Sequence, residues 1–160
     1  MDPLLEILKN DARTSLEDLA RMTASTPEDV AAKIDGYEKT GVIRGYQAIL
    51  NEDVLSLPQV NAVIEVKVRP EREGGFDPVA TRIARFEEVE SVYLMSGGTY
   101  DLVLFIRGES LQQVASFVAR RLSTLDGVLA TATHFMLKTY KRFGVLMEPA
   151  HADDRLQVSP

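Results

Sequence analysis

The sequence predicts an α+β protein in two parts, a small helical unit followed by a β-α-β-β-α-β unit. Three observations carry this. Helix-start signals at Asp2-Pro3, Ser15 and Thr26-Pro27 each precede apolar residues at helical spacing. Apolar residues at Val60, Ala62, Ile64, Val66 and Val68 alternate with a polar side that Val63 alone breaks, the period of a half-buried strand. Finally, Val89 to Met95 and Tyr100 to Ile106 are β-rich runs joined by Ser96-Gly97-Gly98-Thr99, which is hairpin chemistry.

Taken in order, Asp2 caps a first helix whose Leu4, Leu5, Ile7 and Leu8 form an apolar face up to Asn10-Asp11. Ser15 with Asp18 approximates a capping box for a second helix, which buries Leu16, Leu19, Ala20 and Met22 and ends near Thr23. Thr26 caps a third, with Asp29 at the capping-box position and Val30, Ile34 and Tyr37 on its buried side. Gly41 supplies its left-handed cap. Three short helices so joined are the core of a DNA-binding module, the third being the reader. Val42, Ile43, Tyr46, Ala48, Ile49 and Leu50 suggest an extended segment leaving it.

The polar, proline-bearing stretch 51–58 interrupts this pattern and is expected to be a linker between a domain at 1–50 and one at 59–147. After the first strand and the breaker run Pro70 to Gly75, Phe76, Val79, Ala80, Ile83 and Ala84 recur at helical spacing. Ser110 caps a further helix with Leu111, Val114, Phe117, Val118 and Leu122 on its face, and Gly127 opens a last strand through Thr139. The order is that of the ferredoxin-like split βαβ arrangement. Its two helices cover one face of the sheet. The other would carry Val63, Tyr93, Met95, Val103, Phe105 and Met136, too apolar for simple exposure, so self-association through that face is expected. The tail, 148–160, has no pattern and is an extra arm or disordered.

Composition narrows the chemistry. A net charge of -6 opposes non-specific binding of polyanions, so a DNA function needs a local basic patch. With no cysteine, disulfides and thiolate metal sites are excluded, and two histidines supply a metal enzyme poorly. No metal and no cofactor is expected. The N-terminus is too charged and short for a signal peptide, and no apolar run is long enough to span a bilayer, so a cytoplasmic protein with no membrane partner is expected.

Several motifs together resemble the Lrp/AsnC family of feast/famine transcriptional regulators. They are Leu19-Ala20, Thr26-Pro27 with Val30 and Ile34, Glu38 followed by Gly41-Val42-Ile43-Arg44-Gly45-Tyr46, Gly98-Thr99-Tyr100-Asp101-Leu102, Leu125-Asp126-Gly127-Val128, and Thr131, Thr133 and Lys138. The likeness spans roughly Pro3 to Leu146. It implies a winged helix-turn-helix head and a ligand-sensing RAM domain that forms homodimers and higher oligomers. It also implies regulation rather than catalysis, with an amino acid or related metabolite bound between subunits. On this resemblance Thr26, Lys33, Lys39 and Arg44 are the candidate DNA contacts, with Arg21 a further phosphate contact. Gly97, Gly98, Tyr100, Asp101, Thr131, Thr133 and His134 are the candidate effector contacts.

Each effector candidate has a chemical rationale and a plainer alternative. Open N–H groups of a glycine hairpin suit a carboxylate, Asp101 suits an ammonium, and Thr131, Thr133 and His134 offer hydrogen bonds. Equally, the glycines can serve positive φ alone, Asp101 can bond backbone donors in its turn, the threonines can reflect β propensity, and His134 can be a surface side chain.

The reading helix departs from the family. Where relatives carry Arg or Lys it has Ala32, Asp35 and Gly36, and Ala24 and Ser25 replace a customary glycine and apolar residue in the preceding turn. Residues 1–50 hold nine acidic and six basic side chains. A second function therefore stays open, a metabolite sensor or assembly module whose acidic head no longer binds DNA. A third is an enzyme laid out like the siroheme decarboxylases, with His134, Tyr100 and Asp101 as its only acid-base groups.

Overall fold

A computed structural model describes residues 1–55 and 58–147. It divides into two compact units, Met1–Leu50 and a second beginning at Asn51. The tail expectation for 148–160 lies outside the described residues.

The first unit holds α1 (Pro3–Asn10), α2 (Leu16–Met22) and α3 (Pro27–Lys39). All three start where the caps place them. Asp2 Oδ1 accepts from Leu4 N at 2.8 Å, Ser15 Oγ from Asp18 N at 3.1 Å and Thr26 Oγ1 from Asp29 N at 3.1 Å, each satisfying an orphan N–H of the first turn. Leu4, Leu19, Ala20 and Val30 form the core, with Ile7, Leu8, Ile34 and Tyr37 packed against it. Leu16 and Met22 are exposed, contrary to the sequence reading. A helix of two turns has one narrow buried stripe, which Leu19 and Ala20 fill.

Ala24 follows α2 at φ +49°, and Ser25 N reaches back to Ala20 O at 2.9 Å, which is a Schellman-type ending with alanine in the glycine position. A Cβ in the left-handed region costs about 1 kcal/mol or more. Ala24→Gly is therefore expected to raise the unit's stability by about 1 kcal/mol, read from urea midpoints at unchanged m-value. Beyond Gly41, at φ +75°, Ile43 N bonds Tyr37 O, and residues 44–50 pair with no strand among the described residues.

In the second unit the stretch 51–58, expected as a linker, opens with a short helix, α4 (Glu52–Leu55), and its first two residues are hydrogen bonded to the rest of the unit. Asn51 Nδ2 donates to Met147 O, while Glu52 accepts from Asn61, Arg107 and Arg142. Polarity in the sequence reflects these bonds rather than solvation. The sheet then follows as β1 (Val60–Val68), α5 (Asp77–Ile83), β2 (Val89–Leu94), β3 (Leu102–Gly108), α6 (Leu111–Phe117) and β4 (Val128–Phe135). Its strand order β2-β3-β1-β4, antiparallel throughout, is the ferredoxin-like arrangement.

Ala62, Ile64, Val66 and Val68 of β1 and Leu102, Leu104 and Ile106 of β3 pack under Val79, Ile83, Val114, Phe117 and Leu122 from the helices. Leu111 is exposed, because it begins α6 rather than facing the sheet. After α6 a π-helical turn, Val118–Leu122, widens the backbone, closing Ser123 N onto Val118 O at 2.8 Å. The last strand ends at Phe135 rather than Thr139. Beyond it β5 (Lys141–Arg142) and β6 (Val145–Leu146) form a small hairpin with no counterpart in the sequence reading.

Candidate functional site: an uncovered sheet face, a glycine hairpin and an acidic reading helix

The strand register sorts the second unit's polar residues between two faces. Ala62, Ile64 and Val66 point into the core, so Asn61, Val63, Glu65 and Lys67 point away from it. Their cross-strand partners share that uncovered face: Val63 lies between Phe105 and His134, Glu65 between Val103 and Ala132. Tyr93, paired with Val103, sets its ring edge-on to Phe105 at 5.9 Å. Val63, Tyr93, Val103 and Phe105 thus form an apolar strip on the face opposite the one that α5 and α6 cover.

The same register separates the expected effector contacts. Thr131 and Thr133 lie opposite Val66 and Ile64, which are core-facing positions, so they belong to the helix side at the edge strand. There Thr131 Oγ1 meets Ser123 Oγ at 3.4 Å, brought close by the π-helical turn. His134 is on the other side. Its Nε2 lies 3.1 Å from Glu65 Oε2 on the uncovered face, where its side chain is 62% exposed.

Asp101 sits at the root of the β2–β3 hairpin, and both of its oxygens are engaged. Oδ2 accepts from Val68 N and Oδ1 from Lys67 Nζ, each at 3.0 Å, while its own N–H donates to Val66 O. The Val68 N–H, opposed by desolvation and assisted by the Lys67 ammonium, holds its carboxyl below the usual value. Because the folded pKa is the lower one, this stabilisation is complete above the ordinary carboxylate range. It is lost as pH falls through the lowered value. Wild type should therefore lose stability on acidification from pH 7 to pH 3, and Asp101→Asn should show a smaller loss in urea unfolding.

Gly97 and Gly98, at φ +85° and +86°, form the tip of the connection, and a Cβ at either would meet nothing within 4 Å. Their requirement is conformational. Leu102 pairs with Val66 and Val66 with Thr131, so hairpin root and Thr131 are two strand spacings apart, roughly 10 Å. One chain brings Asp101 and Thr131 to the same end of the sheet, Asp101 beside Lys67 and Thr131 on the helix side.

In the first unit the candidate DNA contacts are largely occupied. Lys33 Nζ lies 3.7 Å from Asp2 Oδ2 and Lys39 Nζ 2.5 Å from Asp35 Oδ2, while Arg21 pairs with Asp18. Thr26 is the helix cap. Arg44 has no carboxylate partner among the described residues. Asp2 also accepts from Tyr37 OH at 2.8 Å, a bond that lowers the Asp2 pKa and raises that of Tyr37.

Sequence reasoning missed Glu52. Its Oε1 accepts from Arg107 Nη2 at 3.1 Å and from Arg142 Nη1 at 2.9 Å, and its Oε2 from Asn61 Nδ2 at 2.9 Å. Partial burial raises its pKa, but these hydrogen bonds and the two guanidinium charges outweigh that and hold it below the usual value. No local signal announces a carboxylate whose partners lie up to 90 residues away.

A three-helix head joined in one chain to a ferredoxin-like sheet with an uncovered apolar face defines a class, the two-part regulator with a helix-turn-helix reader and a sensing domain. Residues 61–146 match the Lrp/AsnC ligand binding domain. The chain is similar to the uncharacterized HTH-type transcriptional regulator YugG of Bacillus subtilis, with 49% identity over 98% of this chain and 95% of that protein. It is also similar to the HTH-type transcriptional regulator FL11 of Pyrococcus abyssi, at 30% identity over 86% of this chain and 87% of that one. Among solved structures it is similar to a feast or famine regulatory protein from M. tuberculosis complexed with L-methionine. The TM-score is 0.67 at 26% identity, covering 87% of this chain and 90% of that one. The chain belongs to the Lrp/AsnC family.

Proposed function

We propose that this protein is an amino-acid-responsive transcriptional regulator that binds DNA through α3 and self-associates through the uncovered sheet face. The observation that carries this is a likeness at 49% identity, over nearly the whole of both chains, to an HTH-type transcriptional regulator. The L-methionine complex of the mycobacterial relative supports an amino acid as effector. Regulation needs no catalytic group, and the protein is read as a non-enzyme of the cytoplasm. Among the described residues no helix is long and apolar enough to cross a membrane.

The effector is assigned to a site completed between subunits, with the Gly97-Gly98 tip and Tyr100 from one side and Thr131 and Thr133 from the other. His134 lines the neighbouring face. Asp101 takes a positioning role in place of the ammonium contact expected from sequence, since Lys67 and Val68 N already satisfy it. On the DNA side Arg44 is the phosphate contact, with Lys33 and Lys39 reaching phosphate only by leaving Asp2 and Asp35.

A second reading, a sensor whose head no longer binds DNA, draws on the occupied cations of α3. Footprinting on the DNA upstream of the protein's own coding sequence distinguishes them. Saturable, salt-sensitive protection altered by an amino acid supports the regulator. Stabilisation of the protein by an amino acid with no protection of DNA supports the sensor.

A further inference from the structure

The hairpin that follows β4 is not used by the function above. It lies within 127–147, the longest stretch of the sequence without Asp or Glu, which carries Lys138, Lys141 and Arg142 in a chain of net charge -6. Charge is therefore segregated along the chain, and the local basic patch that a DNA function needs in an acidic protein is found here. Lys141–Arg142 pairs with Val145–Leu146 across a two-residue turn, with Phe143 at φ +46° and Gly144 at φ +88°. Turns of this kind favour Asn-Gly or Asp-Gly, because both central residues need positive φ. A phenylalanine is strained in the first place, and this one is 78% exposed, so neither turn chemistry nor core burial accounts for it.

The three cations have different parts. Arg142 anchors the hairpin by donating to Glu52, which also receives Arg107 and Asn61, and Arg107 meets Glu90 at 2.7 Å, so the charges of this group balance. Met147 N closes the base of the hairpin onto Tyr140 O at 2.9 Å. Lys141, next to Arg142 in the strand, points to the other side, where it is exposed and has no carboxylate partner among the described residues. The Lys138 ammonium lies over the Tyr140 ring, 4.7 Å from its centroid, a contact that leaves it charged. A fastened base thus presents an aromatic tip beside an exposed ammonium. That pairing suits a nucleic acid, with the cation on a phosphate and the ring as an apolar wedge at a base step.

We propose that the Lys141–Leu146 hairpin is a second DNA contact outside the three-helix head, with Lys141 on a backbone phosphate and Phe143 in the minor groove. Duplex DNA is the occupant because its charge is complementary to this stretch. The lysines of α3, by contrast, are paired with Asp2 and Asp35. The strained Phe143 geometry is then offset by contacts made only on DNA. The inference rests on the reading of the protein as a DNA-binding regulator and adds to it a contact that the head does not supply.

Fluorescence anisotropy of the full chain on a labelled duplex of its own upstream DNA, over a series of salt concentrations, tests it. Lys141→Ala should lower the log-log salt slope by about 0.9 and weaken binding about eightfold at 0.1 M salt. Phe143→Asn keeps the turn, since Asn-Gly is the favoured pair, and changes no charge. It should weaken binding about fivefold or more at an unchanged salt slope. Phe143→Leu should stay within about threefold of wild type, because leucine also serves as a wedge. Sedimentation velocity should find every variant in the association state of wild type. If Lys141→Ala and Phe143→Asn bind as wild type does while Arg44→Ala binds more weakly, the hairpin contact is overturned and the head reading stands. A loss of affinity that accompanies a loss of association overturns the contact too. So does hairpin-dependent binding to phosphatidylglycerol vesicles with DNA affinity unchanged in both hairpin variants. A wild type that binds no DNA overturns both readings.

Discussion

Phe105→Asp is expected to separate the subunits and to lower apparent DNA affinity by about a hundredfold or more. Phe105 lies in the middle of the uncovered strip, opposite Val63 and edge-on to Tyr93. A carboxylate there keeps its water while the subunit is alone and has to be desolvated without a partner when the faces meet. The fold itself should survive, because the substitution points away from the core residues Leu104 and Ile106. Loss of DNA affinity follows from geometry rather than from any contact with DNA. Two linked heads bind as one ligand with a high effective concentration of the second head, and a single acidic head has no such help. Sedimentation and mobility-shift measurements on the same preparation check the two effects together. Dissociation with unchanged DNA affinity would show that the heads act singly.

Asp35→Arg is expected to act in the opposite direction. Asp35 is exposed on α3 and holds Lys39 in an ion pair, at a place where the family resemblance leads one to expect a basic residue. Replacing it removes a charge that repels phosphate, releases Lys39 and adds a second cation. Each further phosphate neutralised steepens the log-log salt dependence by about 0.9, equivalent to roughly eightfold in affinity at 0.1 M salt. The freed Lys39 and the new arginine can neutralise one phosphate each, so the increase per head reaches roughly sixtyfold at that salt concentration. An unchanged slope would mean that this side of α3 does not meet the DNA. The wild-type pair itself adds little stability, since both partners are largely exposed.

Much of the fold is legible in the sequence because its signals are local. Asp2, Ser15, Thr26 and Ser110 each announce a helix, and each accepts the expected amide hydrogen bond three residues on, or two for Asp2. The alternation from Val60 to Val68 marks both the strand and its two faces, and Val63, the one apolar break on the polar side, marks the uncovered strip. Family motifs then locate the glycine hairpin and the threonine strand.

What the sequence does not convey depends on register and on distant partners. Spacing alone does not place Thr131 and Thr133 opposite core positions of β1. Lys67 and Asp101 meet across 34 residues, a contact that engages the carboxylate and that no local signal announces. The stretch at 51–58 reads as a linker if its polar residues are solvated, whereas Glu52 is bonded to two strands and the terminal hairpin. That hairpin has no sequence signal for a related reason: Phe143-Gly144 is not a pair that favours its turn. In the head the cations can be counted from sequence, but their occupation by Asp2 and Asp35 is a matter of three-dimensional neighbours.

We propose an amino-acid-responsive regulator whose α3 binds DNA although its lysines are paired with Asp2 and Asp35. Fluorescence anisotropy with labelled upstream DNA, titrated with the full chain at 50, 100 and 200 mM salt as set conditions and with and without a panel of amino acids, tests this most directly. The account predicts saturable binding that weakens with salt and shifts at least severalfold with one amino acid. Absence of binding at the lowest salt, with and without every amino acid of the panel, would contradict it.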